Sequence, residues 1–213
     1  MYRLADKLLE QLKKLIRREF NRLGILGFDE LNAPRITRET VSLFDRLNTE
    51  NKKRFLEVAK KAYLDAIALA VAAGYQNPGD GRITEKWLIG FLGAYNFVSG
   101  YLYESEAERK RLRLAEQMMT AKEYLNRTHY NDSIKRSANL WWTQTSHYML
   151  DAVDTATIDG YRDSGVEMVM WNTNIDGREC SVCRERNGKT YPIDKIPPKA
   201  HRNCRCYVTP IKK

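Results

Sequence analysis

Cys180-x-x-Cys183 and His201-x-x-Cys204-x-Cys206 gather all four cysteines of the chain and one of its three histidines into one short C-terminal segment. Thiolates and imidazole are the ligands zinc prefers, four at a time in a tetrahedron, and a Cys-x-x-Cys turn presents two sulfurs with the chain folded tightly between them. A second ligand group follows about 20 residues later and closes the site. The expected cofactor is one structural Zn2+, held by four of Cys180, Cys183, His201, Cys204 and Cys206. Cys180 and Cys183 belong to every reading of the set; spacing does not choose among the other three. The segment has too few apolar residues for a core of its own, so the metal is expected to supply its folding free energy.

Disulfides are the competing use of an even cysteine count, and they require an oxidising compartment. The stretch from Met1 to Phe20 alternates Leu with Lys, Arg and Glu, without the uninterrupted apolar run of a signal peptide. The most apolar stretch, Ala66 to Ala73, is far shorter than the ~18 residues a membrane span needs. Reduced thiols, and hence metal, are expected.

The elements that must position these ligands follow from periodicity. At 213 residues, 43% of them hydrophobic, the chain can bury one core with a small appended module. Leu4, Leu8, Leu12, Leu15 and Leu23 form a helical stripe, flanked by a second stripe of Arg3, Lys7, Lys14, Arg18 and Arg22. The helix ends at Gly24 and Gly27, and Asn32-Ala33-Pro34 connects onward. A second helical stretch from about Arg38 to Ala73 is expected to break at Asn48-Thr49, with Asn48 as an N-cap. Asn77-Pro78-Gly79-Asp80-Gly81 is a turn. Thr84 then caps a helix carrying Trp87, Leu88, Phe91, Leu92, Tyr95, Val98 and Leu102; with Tyr101 and Tyr103 this aromatic face exceeds what a lone helix hides. Glu104 to Met119 reads as a charged, solvated helix or tether, with Glu106 and Lys110 at pairing distance. A further helix spans Ser133 to Tyr161.

After Gly165 the period changes to two. Val166, Met168 and Met170 alternate with Glu167, Val169 and Trp171 as in a strand, Asn187-Gly188 signals a hairpin, and Cys206-Tyr207-Val208 closes a small ribbon. The fold class is therefore α+β: a mostly helical N-terminal body followed by a small zinc-stapled antiparallel β-ribbon. The expected division is a helical region 1–130 and a domain 131–213, whose metal module is 166–213.

Gly165-Val166 through Trp171, Asp176-x-Arg178-x-Cys180-x-x-Cys183, Gly188-Lys189-x-Tyr191, Pro197-Pro198 and His201-x-x-Cys204-Arg205-Cys206 form an ordered string. Over Ser133 to Ile211 it resembles the C-terminal domain of the phage Mu protein F-like family, the minor head (head morphogenesis) proteins of tailed phages. Two departures stand out. Thr143-Gln144-Thr145 replaces the family's Arg-Thr-Glu-like stretch, and Lys199-Ala200 sets the prolines one residue further from His201.

The resemblance implies a low-copy virion component in the capsid interior near the portal vertex, assembled in the host cytoplasm, contacting packaged double-stranded DNA and leaving with it on ejection. Its partners would be the portal protein, the major capsid protein, or both. The helical first 130 residues lie outside the resemblance, and their apolar helices and basic stripe suit docking onto the portal or capsid wall.

Charge agrees with a polyanionic partner. The chain carries +9, and residues 166–213 hold ten Lys and Arg against five Asp and Glu. Arg178, Arg184, Arg186, Lys189, Arg202 and Arg205 are the candidate phosphate contacts, which would position DNA without reading its bases. No catalytic residues are expected. An HNH-like metal-dependent nuclease needs histidines beyond the one in the module, and His129 and His147 fall on helices among Tyr, Asn and Trp. A zinc-dependent nucleic-acid adaptor or regulator would need a recognition helix that the ribbon lacks.

Overall fold

The leucine stripe lies along one side of α1 (Arg3–Ile25), where Leu8, Leu12, Ile16, Phe20 and Leu23 are buried. The fold is that of a computed structural model describing residues 2–25, 33–79, 81–94, 103–124, 126–174, 179–202 and 204–212. Gly27, Asn32, Tyr95, Val98, Tyr101 and Leu102 from the sequence reading lie outside the described residues.

The expected break at Asn48-Thr49 does not occur: α2 (Ala33–Ala72) is continuous for 40 residues. Leu43, Phe44, Leu47, Asn51, Phe55 and Val58 keep one face buried straight through it. Packing therefore overrides the local capping preference of Asn48. Asn51 is accommodated because its Nδ2 donates to Thr145 Oγ1 at 2.8 Å and Tyr103 Oη at 3.0 Å.

The cap of α3 (Glu85–Gly93) is as expected, with Thr84 Oγ1 accepting from Trp87 N at 3.4 Å. In α4 (Tyr103–Glu123) Glu106 pairs with Lys110 at 2.8 Å and with Arg109 at 2.7 Å. It is no tether: Ala107, Leu114, Met118 and Ala121 pack with α1, α2 and α5 in one core cluster. Its short apolar row, too sparse to stand out among the charges, is enough once three other helices surround it.

α5 (Arg127–Asp163) starts six residues before Ser133, capped by Asn126, whose Oδ1 accepts from His129 N at 2.8 Å. The 130/131 division therefore falls in its first turn. The helix enters all three apolar clusters, through Tyr130 and Trp141, through Met149 and Val153, and through Tyr161. Gly165 leaves it with φ +79°, a left-handed conformation that glycine adopts without strain.

Beyond it come β1 (Met168–Asn172), α6 (Ser181–Arg186), β2 (Thr190–Pro192), a 3-10 turn (Ile193–Lys195) and β3 (Tyr207–Pro210). The antiparallel sheet has the order β2-β1-β3, with Val169 opposite Tyr191 and Trp171 opposite Val208. Val169 and Trp171 face inward onto Tyr161, Ala66 and Ala70, while Met170 points to solvent. The α+β class is as the sequence indicates. Asn187-Gly188 is not a hairpin turn: it ends α6, and Gly188 N donates to Trp171 O at 2.8 Å. The Cys-x-x-Cys segment has taken a helical turn between the two strands. Among the described residues no helix is long and apolar enough to cross a membrane.

α2 and α5 approach closely at Gly160, where a Cβ would meet Tyr63 O at 2.8 Å and Ala66 Cβ at 2.9 Å. Gly160→Ala should destabilise the fold by about 1–3 kcal/mol in urea unfolding, because backbone must move. Gly90, inside α3 with nothing within 4 Å of a Cβ, is the control. Gly90→Ala should be neutral or stabilising by up to about 1 kcal/mol.

Candidate metal centre

Three chain segments deliver the five candidate ligands. Cys180 is the N-cap of α6, its backbone extended and its Sγ accepting from Cys183 N at 3.4 Å. One turn on, Cys183 points into the core beneath the sheet. The loop after the 3-10 turn supplies His201. Cys204 and Cys206, two residues apart and leading into β3, are both buried.

Cys180, Cys183 and His201 form one group of donor atoms within 4.8 Å of one another, and Cys183, Cys204 and Cys206 form another. Cys183 belongs to both. Its Sγ lies 3.5 Å from Cys204 Sγ and 3.8 Å from His201 Nε2. Metal–sulfur bonds of ~2.3 Å in a tetrahedron separate sulfurs by about 3.8 Å, so these edges suit a coordinated ion. All four cysteines are free thiols, and 3.5 Å is far from the ~2.05 Å of a disulfide.

The electrostatics fit a cation. The backbone N–H of Cys183 draws the half-buried Cys180 thiol below its ordinary range. Burial, reinforced by the neighbouring thiols, pushes Cys183 well up, and burial also raises Cys204. Several sulfurs packed together cannot all ionise without a compensating charge, and a dication provides it. His201 is oriented for ligation. Its Nδ1 lies 3.0 Å from Arg202 O, and a proton held there leaves the Nε2 lone pair aimed at the sulfurs.

Sequence reasoning missed the residues that fasten this cluster to the helices. Tyr2 Oη lies 2.7 Å from Asp154 Oδ1 and 2.9 Å from Cys206 O. Lys199 Nζ donates to Tyr2 Oη at 2.7 Å and Cys204 O at 2.9 Å, and pairs with Asp154. Thr173 Oγ1 donates to Cys183 O at 2.6 Å and takes a weak contact from Cys206 Sγ at 3.7 Å. Only Lys199 left a trace in the sequence, in the lengthened spacing before His201. A cleft of about 670 Å³ opens beside the cluster, walled by Asp6, Glu10, Trp142 and Glu179.

The candidate phosphate contacts divide. Arg205 makes a two-pronged pair with Asp6 at 2.6 and 2.9 Å. Arg186 donates to Pro198 O at 2.6 Å and lies over the Trp171 ring, and Arg184 reaches Glu179 at 3.5 Å. Lys189 and Arg202 are exposed and form no ion pair among the described residues. Arg178 lies outside them. Neither other histidine joins the cluster: His129 is exposed in the first turn of α5, and His147 is 4% exposed.

No family model, curated protein or solved structure matches the chain. The site is read from its own geometry.

Cys183→Ser, which removes the donor common to both groups, should abolish stoichiometric metal binding, measured by elemental analysis of purified protein. Chelation of the wild type should expose thiols to a disulfide reagent and shift the emission of Trp171, which shares a core cluster with Cys183, Cys204 and Cys206.

His147 offers a separate pH test. Burial, then Arg202 and Lys199, lower its pKa to about 4 despite the Asp151 carboxylate 3.7 Å away, since that partner is itself partly solvated. A neutral native histidine stabilises the fold above its unfolded value of 6.5, and that contribution fades as pH falls toward 4. The loss is on the order of 3 kcal/mol. His147→Phe should flatten stability between those limits relative to wild type in urea titrations.

Proposed function

We propose that this chain is a zinc-stapled, non-catalytic minor head protein of a tailed bacteriophage. It acts in head assembly inside the capsid at the portal vertex and contacts packaged double-stranded DNA without sequence preference. The observation that carries the reading is the convergence on Cys183 of donors from both halves of the ordered motif string. Residues separated by a helix, a strand and a proline-containing loop meet within bonding range of a single ion.

Zinc is the ion best suited to thiolates mixed with an imidazole in a closed tetrahedral site. Cys180, Cys183, His201 and Cys204 form the preferred set. Cys206, whose sulfur lies within 4.8 Å of those of Cys183 and Cys204, is the donor left out, because it also turns to the Thr173 hydroxyl at 3.7 Å. A fully occupied tetrahedron leaves no open position for an activated water, which supports a structural rather than a catalytic role.

The helical body supplies rigid surfaces for the portal or the major capsid protein. Exposed Ile89 on α3 and Leu112 on α4 are apolar side chains left for such contacts.

Elemental analysis of the chain, purified anaerobically, should return one zinc per molecule. Cys206→Ser should retain it and Cys204→Ser should lose it. Mass spectrometry of washed, genome-filled particles should find the protein at low copy. Its consistent absence from such particles, or metal-dependent DNA nicking abolished by His201→Ala with the fold intact, would overturn the assignment.

A further inference from the structure

In the metal module Arg186, Lys199 and Arg205 are held by partners within the chain, whereas the exposed cations of α1 form a row with little such claim on it. Arg3, Lys7, Lys14, Arg17 and Arg22 are all exposed, and none forms an ion pair among the described residues. Arg18 has a side chain 73% exposed and only a long contact, 3.3 Å, to Glu19. Glu19 is itself held by Arg46 from α2 at 2.8 Å, which brings one more partly exposed cation beside the row. Of the three acids on α1, Glu19 is buried against Arg46 and Asp6 is clasped by Arg205. Glu10 alone is left to offset the row.

Helical geometry makes these cations a single surface. At about 100° per residue, Arg3, Lys7, Lys14 and Arg18 fall within an arc of about 60° on the side opposite Leu12, and Arg17 and Arg22 flank it. At 1.5 Å per residue the row from Arg3 to Arg22 is about 28 Å long, roughly eight base-pair steps of duplex DNA. The buried face of α1 fixes which side looks outward, so the row cannot rotate away.

We infer that the exposed face of α1, rather than the metal module, is the surface that follows the phosphate backbone of double-stranded DNA. The inference rests on the proposed function only for the identity of the polyanion. Contacts of this kind position a duplex without reading it, through lysine and arginine neutralising successive phosphates. The module's part is to hold the start of the helix, through Tyr2 and the Asp6–Arg205 pair.

The test is fluorescence anisotropy of the full, metal-loaded chain with a 20-base-pair duplex of arbitrary sequence, between 50 and 200 mM salt. R3Q/K7Q/K14Q should weaken binding at least tenfold and reduce the steepness of log K against log salt by about 2–3, near 0.9 per lost phosphate contact. R3K/K7R/K14R should bind as the wild type does. K189Q/R202Q, which removes the two candidate phosphate contacts of the module that form no ion pair among the described residues, should change affinity less than threefold.

A larger loss from K189Q/R202Q than from the α1 variant would overturn the inference. So would equal binding by all variants, no DNA binding by the wild type, or an α1 variant that keeps DNA but loses portal or capsid protein in pull-down. Particle composition and zinc content are independent of every arm. Failure here with the protein present in virions removes only the α1 surface, and an intact α1 salt dependence with the protein absent from virions removes only the head assignment.

Discussion

Three sulfurs and an imidazole nitrogen crowd around one buried side chain, Cys183, and the C-terminal module depends on what balances their charge. The sheet they support is small, with strands of five, three and four residues. Strands of that size do not stand alone in water. One face of the sheet is backed by Tyr161, Ala66 and Ala70, and the same cluster takes in the buried cysteines. Thiols are weak hydrogen-bonding groups, and packed together at 3.5 Å they contribute little cohesion of their own. A coordinated dication would convert the same crowding into the strongest set of bonds in the module. It would also make ionisation favourable where burial alone opposes it.

That constraint extends into the helical body through backbone carbonyls. The carbonyls of Cys204 and Cys206, next to the sulfurs, are taken by Lys199 and Tyr2, and both side chains close on Asp154 of α5. A half-buried lysine is tolerated here because carboxylate, hydroxyl and carbonyl all receive its protons. Lys199 and Arg205 also lie over the Tyr2 ring at 5.1 and 5.5 Å, adding cation–π attraction to the joint. The module is thus fastened to the first residues of α1 and the middle of α5. It is not an appendage on a linker, and disturbing its ligands disturbs the base of the first helix.

The parts of this arrangement legible in the sequence are those governed by local chemistry. Ligand spacing announced the cluster, because Cys-x-x-Cys and His-x-x-Cys-x-Cys have few other uses. The Leu8–Leu12 stripe announced α1, and Thr84 announced the start of α3. What failed was decided by distant contacts. Asn48 has the chemistry of a cap, but Leu47 and Asn51 are buried on either side of it and α2 runs on. Asn187-Gly188 has the chemistry of a hairpin, but the ligand turn before it became α6 and the pair was used to end a helix. Residue type likewise counts the charge of Arg186 and Arg205 without revealing that Pro198 and Asp6 have claimed them. Tyr2 carried no signal at all, since its partners lie at the other end of the chain.

Restraint at both ends of α1 gives the unclaimed charges a physical consequence. Near its start, Tyr2 and Asp6 are fixed to the module; near its end, Glu19 is gripped by Arg46, and Leu23 O accepts from Tyr130 Oη at 3.1 Å. Between them Leu8, Leu12, Ile16 and Phe20 seat the helix in two adjoining cores. A cationic row on a flexible segment would lose ordering entropy on meeting a polyanion. One on a helix so pinned has that order before contact, and only side-chain freedom remains to be given up. The cysteine-centred module and the basic helix are therefore joined physically: the first fixes the base of the second, and the second presents charge that the first has not claimed.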